Sequence, residues 1–241
     1  MKKSLVFLAL ISVLVVSCKR DETNTEVTPE VSIETQNSYD DEAAQNFLAT
    51  HYFDVKGNVK ELAATDTVNV KLSLLNPITL PSGVVYVSRP TAQPSPGTAV
   101  GTYDKISLMS IATSYVATKT DAKVSFNSPS IFRNTISFTG VPEIDPMYYY
   151  VKKSVLENAT IDVAKQRSFY EIEGFQEALK KFNSFDQPDE TNYNFQGLII
   201  VPSRAAFARD QHYNYTGVSY RNRSFIFSFQ LYKTVHFTEP R

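Results

Sequence analysis

In several stretches of this chain apolar residues alternate with polar ones. The stretch from Val68 to Leu74 alternates strictly, which predicts a strand that is buried on one face only. The clearest case begins at Phe225 and ends at Leu231, where the large apolar side chains share one face. Further strands are predicted at 84–87, 104–116, 122–127, 131–138, 147–152 and 197–201, and the last strand at 225–233.

Two other segments have the 3.6-residue spacing of a helix that is buried on one side. Ser38 and Asp41 form an S-x-x-D capping box ahead of the first segment, which we predict to be a helix over 38–53. The second segment runs from Glu171 to Phe182, with apolar residues at i, i+3, i+4 and i+7. A sheet with one good helix packed across it predicts an α+β fold.

The N-terminus carries the longest apolar run. Lys2 and Lys3 precede this run, which extends from Leu5 to Val16. Because a membrane-spanning helix needs about 20 apolar residues, the run is too short to cross a bilayer. Residues 1–17 are therefore predicted to be a secretion signal.

The end of this run resembles the lipobox of bacterial lipoproteins, which reads Val15-Val16-Ser17-Cys18 here. The resemblance implies cleavage before Cys18 and acylation of its thiol, with palmitate as one of the chains. Cys18 is also the only cysteine, so it cannot form an internal disulfide in an exported protein. The alternative is an ordinary signal peptide followed by an unmodified cysteine.

The segment after Cys18 is polar and has no sustained apolar period. Residues 19–37 are rich in Thr, Glu, Asp and Ser and contain Pro29, a composition typical of a flexible tether. The lipid would hold the protein at a membrane, on its periplasmic side or at the cell surface, and the sequence leaves both open. The predicted organisation is a signal peptide at 1–17, a lipidated tether at 18–37, an N-terminal helical segment at 38–62 and the main domain at 63–236.

Composition excludes several classes of function. Cleavage at the predicted site removes two lysines and leaves 22 basic against 25 acidic side chains, a formal charge of −3, so there is no basic field to attract nucleic acid. The three histidines, His51, His212 and His236, are not at ligand spacing, so we predict no metal and no other cofactor. The sequence also lacks a Gly-x-Ser-x-Gly elbow, a phosphate loop and a free thiol for nucleophilic catalysis.

A set of short segments, in the family's order, resembles the FKBP-type peptidyl-prolyl isomerase domain over about 80–235. This resemblance implies an antiparallel half-barrel sheet wrapped on one helix, with an aromatic pocket for an X-Pro segment between them. The segments are Leu80–Tyr86 for S-G-L-x-Y, Asp104–Leu108 for G-D-x-V-x-V, Phe126–Ser128 for F-D-S, Gly174–Leu179 for G-W-x-E-A/G-L, Ile200–Phe207 for I-P-x-x-x-A-Y and Ser224–Leu231 for T-L-x-F-x-V-x-L.

The resemblance also assigns pocket residues. The family's floor tryptophan falls on Phe175, its neighbouring isoleucine on Ile172, its front phenylalanine on Phe126 and its last-strand phenylalanine on Phe227. Packing in the core alone is the alternative reading of the three phenylalanines. With the positions that depart from the family, the implied substrate pocket consists of Phe126, Asn127, Ile172, Phe175, Phe207, Tyr220 and Phe227.

Several of these positions depart from the family pattern. The tyrosine of the family's second strand falls on Ser110, or on Met109 in the alternative register. The family's aspartate is Asn127, and the tyrosine that donates a hydrogen bond to the bound carbonyl is Phe207. The valine before Ile172 becomes Glu171, the loop 218–222 replaces I-P-P-N, and the region 128–168 contains an insertion. These departures imply reduced turnover.

Three functions from different classes follow. The first is a lipid-anchored isomerase or folding helper for exported proteins, with proline-containing polypeptides as partners. The second is a catalytically degenerate FKBP-like binding module, and the third is an accessory surface lipoprotein whose partner docks on the insertion. Isomerisation needs no acid, base, nucleophile or cofactor, because the catalyst only has to stabilise a twisted amide. The sequence does not identify the client protein or the oligomeric state.

Overall fold

The computed structural model describes residues 30–241. The predicted signal peptide, Cys18 and most of the predicted tether lie outside these residues. Residues 31–241 form one compact unit. Its helices are α1 (Ile33–Thr50), α2 (Lys153–Glu157) and α3 (Glu173–Leu179), and its strands are β1 (His51–Phe53), β2 (Val59–Glu61), β3 (Ile78–Thr79), β4 (Val85–Ser88), β5 (Thr98–Ala99), β6 (Lys105–Thr120), β7 (Lys123–Asn134), β8 (Glu143–Ile144), β9 (Asn183–Ser184), β10 (Gly197–Val201) and β11 (Arg223–Val235).

An antiparallel sheet of seven strands dominates the unit. Six strands lie in the order β3-β4-β10-β11-β6-β7, and β8 pairs with the start of β6. The long strands β11 and β6 pair from Arg223–Val116 to Val235–Lys105, which makes this pair the spine of the sheet. The predicted α+β class, with an antiparallel sheet wrapped on a helix, is confirmed.

The sheet has two buried faces. Along β11, Phe225, Phe227 and Phe229 belong to the core cluster that also contains α3, and we call this side the inner face. Ile226 belongs to the cluster that contains α1 residues such as Leu48, and we call that side the outer face. The alternation predicted from the sequence therefore places the phenylalanines of β11 correctly.

The helix α3 packs closely on the inner face. Its apolar residues Phe175, Ala178 and Leu179 are fully buried, as the predicted i, i+3, i+4 spacing requires. A Cβ at Gly174 would lie 2.7 Å from Val84 Cγ2, so only glycine permits this approach of the helix to the sheet. Phe175 is thereby held against the strands.

The helix α1 lies on the outer face and begins earlier than the sequence predicted. Its N-cap is Ser32, whose hydroxyl accepts a hydrogen bond from Thr35 N at 3.1 Å, and Ser38 lies inside the helix. Gln36 is buried and donates to the Ala117 carbonyl of β6 at 3.1 Å. The end of the tether at residue 37 and the start of the helix at 38 are therefore wrong, because the helix continues towards the N-terminus to bring a polar anchor onto the sheet.

Four predicted strands differ in the structure. Residues 68–74 contain a short 3-10 helix at Leu72–Leu74, and Val68 is mostly exposed, so this alternation does not reflect a strand. Residues 147–152 form turns rather than a strand, although Tyr148 and its neighbours are buried. The two strands predicted at 122–127 and 131–138 are one irregular strand, β7, which ends at Asn134.

Candidate functional site

Five of the seven predicted pocket residues meet on the inner face. Ile172, Phe175, Phe207, Tyr220 and Phe227 all belong to one buried cluster. The rings of Phe175 and Phe227 stack with their centroids 4.2 Å apart, and those of Phe207 and Tyr220 stack at 5.7 Å. The helix start, the last strand and the loop after Phe207 thus converge on one aromatic cluster.

The other two predicted residues lie away from this cluster, towards the turn of the β6–β7 hairpin. Phe126 packs against α1, with its ring centroid 6.2 Å from that of Phe47. Asn127 donates its side-chain amide to Thr118 Oγ1 at 2.8 Å, a bond within the β6–β7 hairpin. The structure therefore does not bring Phe126 and Asn127 to the inner cluster.

Phe132, which the sequence analysis did not single out, is the β7 residue that lies in the inner cluster. Its ring contacts Tyr148, Phe225 and Phe227 with centroid separations of 5.0, 5.1 and 6.0 Å. Phe126 and Phe132 are six residues apart, so a regular strand would put both on one face.

One extra residue in β7 between Phe126 and Phe132 explains the change of face. The pairing register with β6 shifts between Ser114 and Val116 and again between Ala112 and Thr113, and Ser128 has a positive φ of 50°. Phe132 lies between the residues paired with Thr113 and Ala112, as the extra residue of a bulge does. The sequence contained a signal for choosing Phe132 in place of Phe126. Like Phe126, it is followed by two polar residues, in Phe132-Arg133-Asn134.

The insertion within 128–168 supplies another wall of the cluster. Tyr148 is fully buried, with its ring 5.9 Å from that of Phe175. Its carbonyl accepts a hydrogen bond from Ile172 N at 2.8 Å, and its hydroxyl donates to Glu143 Oε2 at 2.9 Å. Burial, followed by the charge of Glu143, raises the pKa of Tyr148 well above its ordinary value.

Buried ion pairs fix the backbone around Tyr148. Glu171 accepts hydrogen bonds from Val151 N and from the Arg167 guanidinium, each at 2.8 Å. Arg241 binds both carboxylate oxygens of Asp145 at 2.6 and 2.7 Å. Burial alone would raise the pKa of Asp145, but Arg241 and Lys152 outweigh it and lower that pKa. Glu171 therefore anchors the insertion through charged and backbone hydrogen bonds.

The structure also shows which of Ser110 and Met109 on β6 faces the inner cluster. Ser110 is fully buried and pairs with Phe229, which belongs to the inner face, whereas Met109 packs with Phe195 and Tyr232 in a separate cluster. Ser110 is thus the inner-face residue, and a small side chain there leaves room for the Tyr148 ring.

Arg133 lies across the mouth of the cluster. Its guanidinium carbon is 4.6, 5.2 and 5.0 Å from the ring centroids of Phe132, Tyr148 and Tyr215, and its Nε is 3.4 Å from Glu143 Oε2. These are cation–π distances. A cation therefore covers the aromatic rings at this edge of the cluster.

The loop 206–222 closes the cluster from the other side. Tyr215 contacts the Phe132 ring at 5.4 Å and donates its hydroxyl to the Tyr170 carbonyl at 2.8 Å. Burial raises the pKa of Tyr215. Further along the loop, Tyr220 OH and Thr216 Oγ1 are 2.6 Å apart. Tyr148 and Tyr215 cover the side of the cluster that contains Phe175, which is fully buried.

An open groove begins where this closed cluster ends. It has a cavity volume of about 550 Å³, which is within the range of ligand pockets. Its apolar walls include Phe132 itself and the exposed side chains of Ile131, Phe138 and Val141. Clustered exposed apolar side chains are typical of binding surfaces. The full lining is Ile131, Phe132, Arg133, Asn134, Thr135, Phe138, Thr139, Val141, Pro142, Glu143 and Thr216.

A second cavity, of about 240 Å³, lies on the outer face between α1, β2 and the sheet. Its wall contains Phe47 and His51, whose rings stack at 3.7 Å. Burial lowers the pKa of His51, which favours the neutral imidazole. None of the seven predicted site residues lines this cavity.

The chemistry of the groove is that of binding rather than of covalent catalysis. Its polar groups are a paired arginine and glutamate, amides and hydroxyls, beside aromatic faces. Over residues 30–241 no group of three or more His, Cys, Asp or Glu is placed to hold a metal ion. Across the same residues, no helix combines the length and the apolar character needed to cross a bilayer.

Comparisons with known proteins give low similarities. No protein-family model matches the chain, and no curated protein matches it. The crystal structure of FkpA from Escherichia coli matches with a TM-score of 0.35 and 18% identity, over 66% of this chain and 51% of FkpA, so the match spans about half of that protein. A peptidyl-prolyl cis-trans isomerase from Pseudomonas syringae pv. tomato matches with a TM-score of 0.38 and 10% identity, over 86% of this chain and 99% of that one.

Proposed function

We propose that this chain is an FKBP-like folding helper that binds proline-containing segments of exported proteins in the groove beside Phe132. The observation that carries the proposal is the continuity between the aromatic cluster and the groove. Phe132 belongs to both, and the exposed Phe138 and Val141 extend the apolar wall outwards. The ordered sequence motifs supply the class of ligand.

The groove suits an X-Pro segment for physical reasons. Proline has no backbone N–H, so fewer polar groups of the ligand lose water when it enters an apolar site. Its ring can pack on the exposed Phe138 and Val141, while Arg133 and Thr216 also line the groove and can meet the flanking carbonyls. Apolar contact thus provides affinity, and the polar rim provides orientation.

Isomerase turnover is the second candidate, and it uses the same groove. Rotation about a peptide bond has a barrier of about 18–20 kcal/mol. The twisted amide has lost resonance, so its carbonyl carries less charge and needs less water than the planar form. A dry aromatic wall therefore favours the twisted form, and each ~1.4 kcal/mol of this preference raises the rate about tenfold.

The closed cluster favours slow turnover. Phe175 and Phe227 are fully buried and Phe132 is almost so, so an X-Pro segment would contact the exposed groove residues such as Phe138 rather than Phe175. With fewer surfaces around the amide, differential stabilisation of the twisted form is smaller. Binding without efficient isomerisation is the behaviour that this arrangement supports best.

An isomerisation assay separates these functions. A short Ala-Phe-Pro-Phe peptide should bind, and its cis to trans conversion should be accelerated weakly, with inhibition by a macrolide ligand of the family. Binding without acceleration would support a binding module and would contradict isomerase activity. Absence of binding would contradict the proposal as a whole.

We also propose that Cys18 anchors the protein to a membrane on the periplasmic side or at the cell surface. The lipobox-like segment and the single cysteine support this. A single acyl chain gives marginal membrane binding and stable anchoring takes more than one signal, so loss of acylation should release the protein. Cys18→Ala should therefore move the protein from the membrane fraction to the soluble fraction, and an unchanged distribution would contradict the anchor.

A further inference from the structure

The hydroxyl that the resemblance places at residue 207 is absent from this chain. Phe207 is almost fully buried and has no group that can donate to a ligand carbonyl. A binding site for an X-Pro segment nevertheless contains carbonyl oxygens that need donors, because an unpaired polar group in a dry site costs about 1–3 kcal/mol. The structure has a candidate donor next to Phe207.

Tyr220 stacks on Phe207 and presents a hydroxyl close to the groove. Its ring plane is 25° from that of Phe207, with centroids 5.7 Å apart. Its oxygen is 2.6 Å from Thr216 Oγ1, and Thr216 lines the groove together with Phe132. The two hydroxyls therefore connect the closed aromatic cluster to the open site.

The Tyr220 and Thr216 hydroxyls have one hydrogen that the bond between them does not use. Two hydroxyl groups carry two hydrogens, and the bond between them needs one. Among residues 30–241, neither oxygen has another hydrogen-bond partner. Tyr220 is buried whereas Thr216 is exposed, so Tyr220 can donate to Thr216, which leaves the Thr216 hydrogen available in the groove.

We propose that the Thr216 hydroxyl, oriented by Tyr220, donates a hydrogen bond to the carbonyl that precedes proline in the bound segment. This inference rests on the proposed function and names the polar contact of that site. The Tyr220 hydroxyl strengthens the donor, because hydrogen bonds in a chain polarise one another. Thr216 is therefore a specificity residue, and Tyr220 is its positioning residue.

The test compares Thr216→Val with Thr216→Ser in the full chain. The probes are the Ala-Phe-Pro-Phe peptide and its thioxo form, in which sulfur replaces the carbonyl oxygen before proline and accepts hydrogen bonds weakly. Wild type and Thr216→Ser should prefer the oxo peptide. Thr216→Val should bind the oxo peptide about twofold to tenfold more weakly and should bind the thioxo peptide as wild type does. Its melting temperature should fall, because the buried Tyr220 hydroxyl loses its partner, whereas that of Thr216→Ser should not.

Two results would overturn the inference while leaving the proposed function intact. In one, Thr216→Val binds both peptides as tightly as wild type does. In the other, the affinity of Thr216→Val falls by the same factor for the oxo and the thioxo peptide, which indicates that Thr216 contributes only to the shape of the groove. If wild type binds neither peptide, the proposed function fails and the inference fails with it.

Discussion

The two faces of the sheet are covered in different ways. On the inner face, α3, the insertion around Tyr148 and the loop around Tyr215 meet in a cluster of rings. On the outer face, α1 is positioned by polar side chains that bind the sheet and the segment after β10, such as Gln36 to the Ala117 carbonyl and Asp40 to Ser203 N at 2.8 Å. The outer cover is one regular helix, whereas loops that end at an open groove complete the inner cover. Changes on the outer face should alter stability alone, and changes at the inner edge should alter binding.

The largest effect is expected from opening the centre of the inner face. Phe227→Ala removes the ring that stacks on Phe175 at 4.2 Å, and such a cavity costs about 3–5 kcal/mol of unfolding free energy. Its neighbour on the outer face, Ile226, is also buried, and Ile226→Val should cost only about 0.5–1.5 kcal/mol. Urea unfolding measures both variants. Similar losses would mean that the ring cluster is no more critical than the aliphatic packing.

The next effect concerns the closure of the inner face at Phe207. Its side chain is almost fully buried between the rings of Tyr220 and His212. In Phe207→Tyr the added hydroxyl should therefore lack a partner and cost about 1–3 kcal/mol of stability, with no gain in peptide affinity. Melting temperature and peptide titration measure the two quantities. Tighter binding, by about twofold to tenfold, would show instead that this position is open to ligand.

A smaller, pH-dependent effect distinguishes the outer face. Burial raises the pKa of Asp40 above its ordinary value of 3.8, although hydrogen bonds from Ser203 and Gln36 lower it. The folded protein then keeps this proton at a pH where the unfolded chain has lost it. The stabilising contribution is complete below 3.8 and is lost as the pH rises through the raised pKa.

Asp40→Asn removes this titration. The free energy of unfolding of wild type should rise relative to that of the variant as the pH falls through this window. The slope is at most about 1.4 kcal/mol per pH unit for one proton. Urea unfolding of both proteins over a pH series measures it. Parallel pH profiles would contradict the assignment of a raised pKa to Asp40.

The sequence predicted the regular parts of both faces. The alternation in β11 and the spacing in α3 reflect burial on one face, which is the physical cause of those periods. The same alternation at 68–74 was misleading because only Leu72 is buried there. The chain at Tyr148 is buried in turns, and no period marks a turn that is held by buried ion pairs such as that of Glu171 with Arg167.

The site was predicted in part for a similar reason. Phe175 and Phe227 lie on regular elements, so their burial follows from spacing, whereas their assignment to a pocket, and that of Ile172, came from the resemblance. Phe126 was assigned instead of Phe132 because an irregularity of β7 between Asn127 and Ser130 reverses the alternation between them. Tyr148 and Tyr215 come from the insertion and a long loop, whose folding depends on distant contacts rather than on local pattern.

The central claim, that the groove binds a proline-containing segment, is tested most directly by a peptide titration with two matched surface variants. Phe138, which lines the groove, and Leu74, which lies elsewhere, are 71% and 69% exposed. Replacing either by serine should change stability by less than about 0.5 kcal/mol. Phe138→Ser should weaken binding of the Ala-Phe-Pro-Phe peptide about tenfold, since burying a phenylalanine ring contributes about 1.5–3 kcal/mol when complete. Leu74→Ser should bind as wild type does, and equal affinities for all three proteins would contradict the claim.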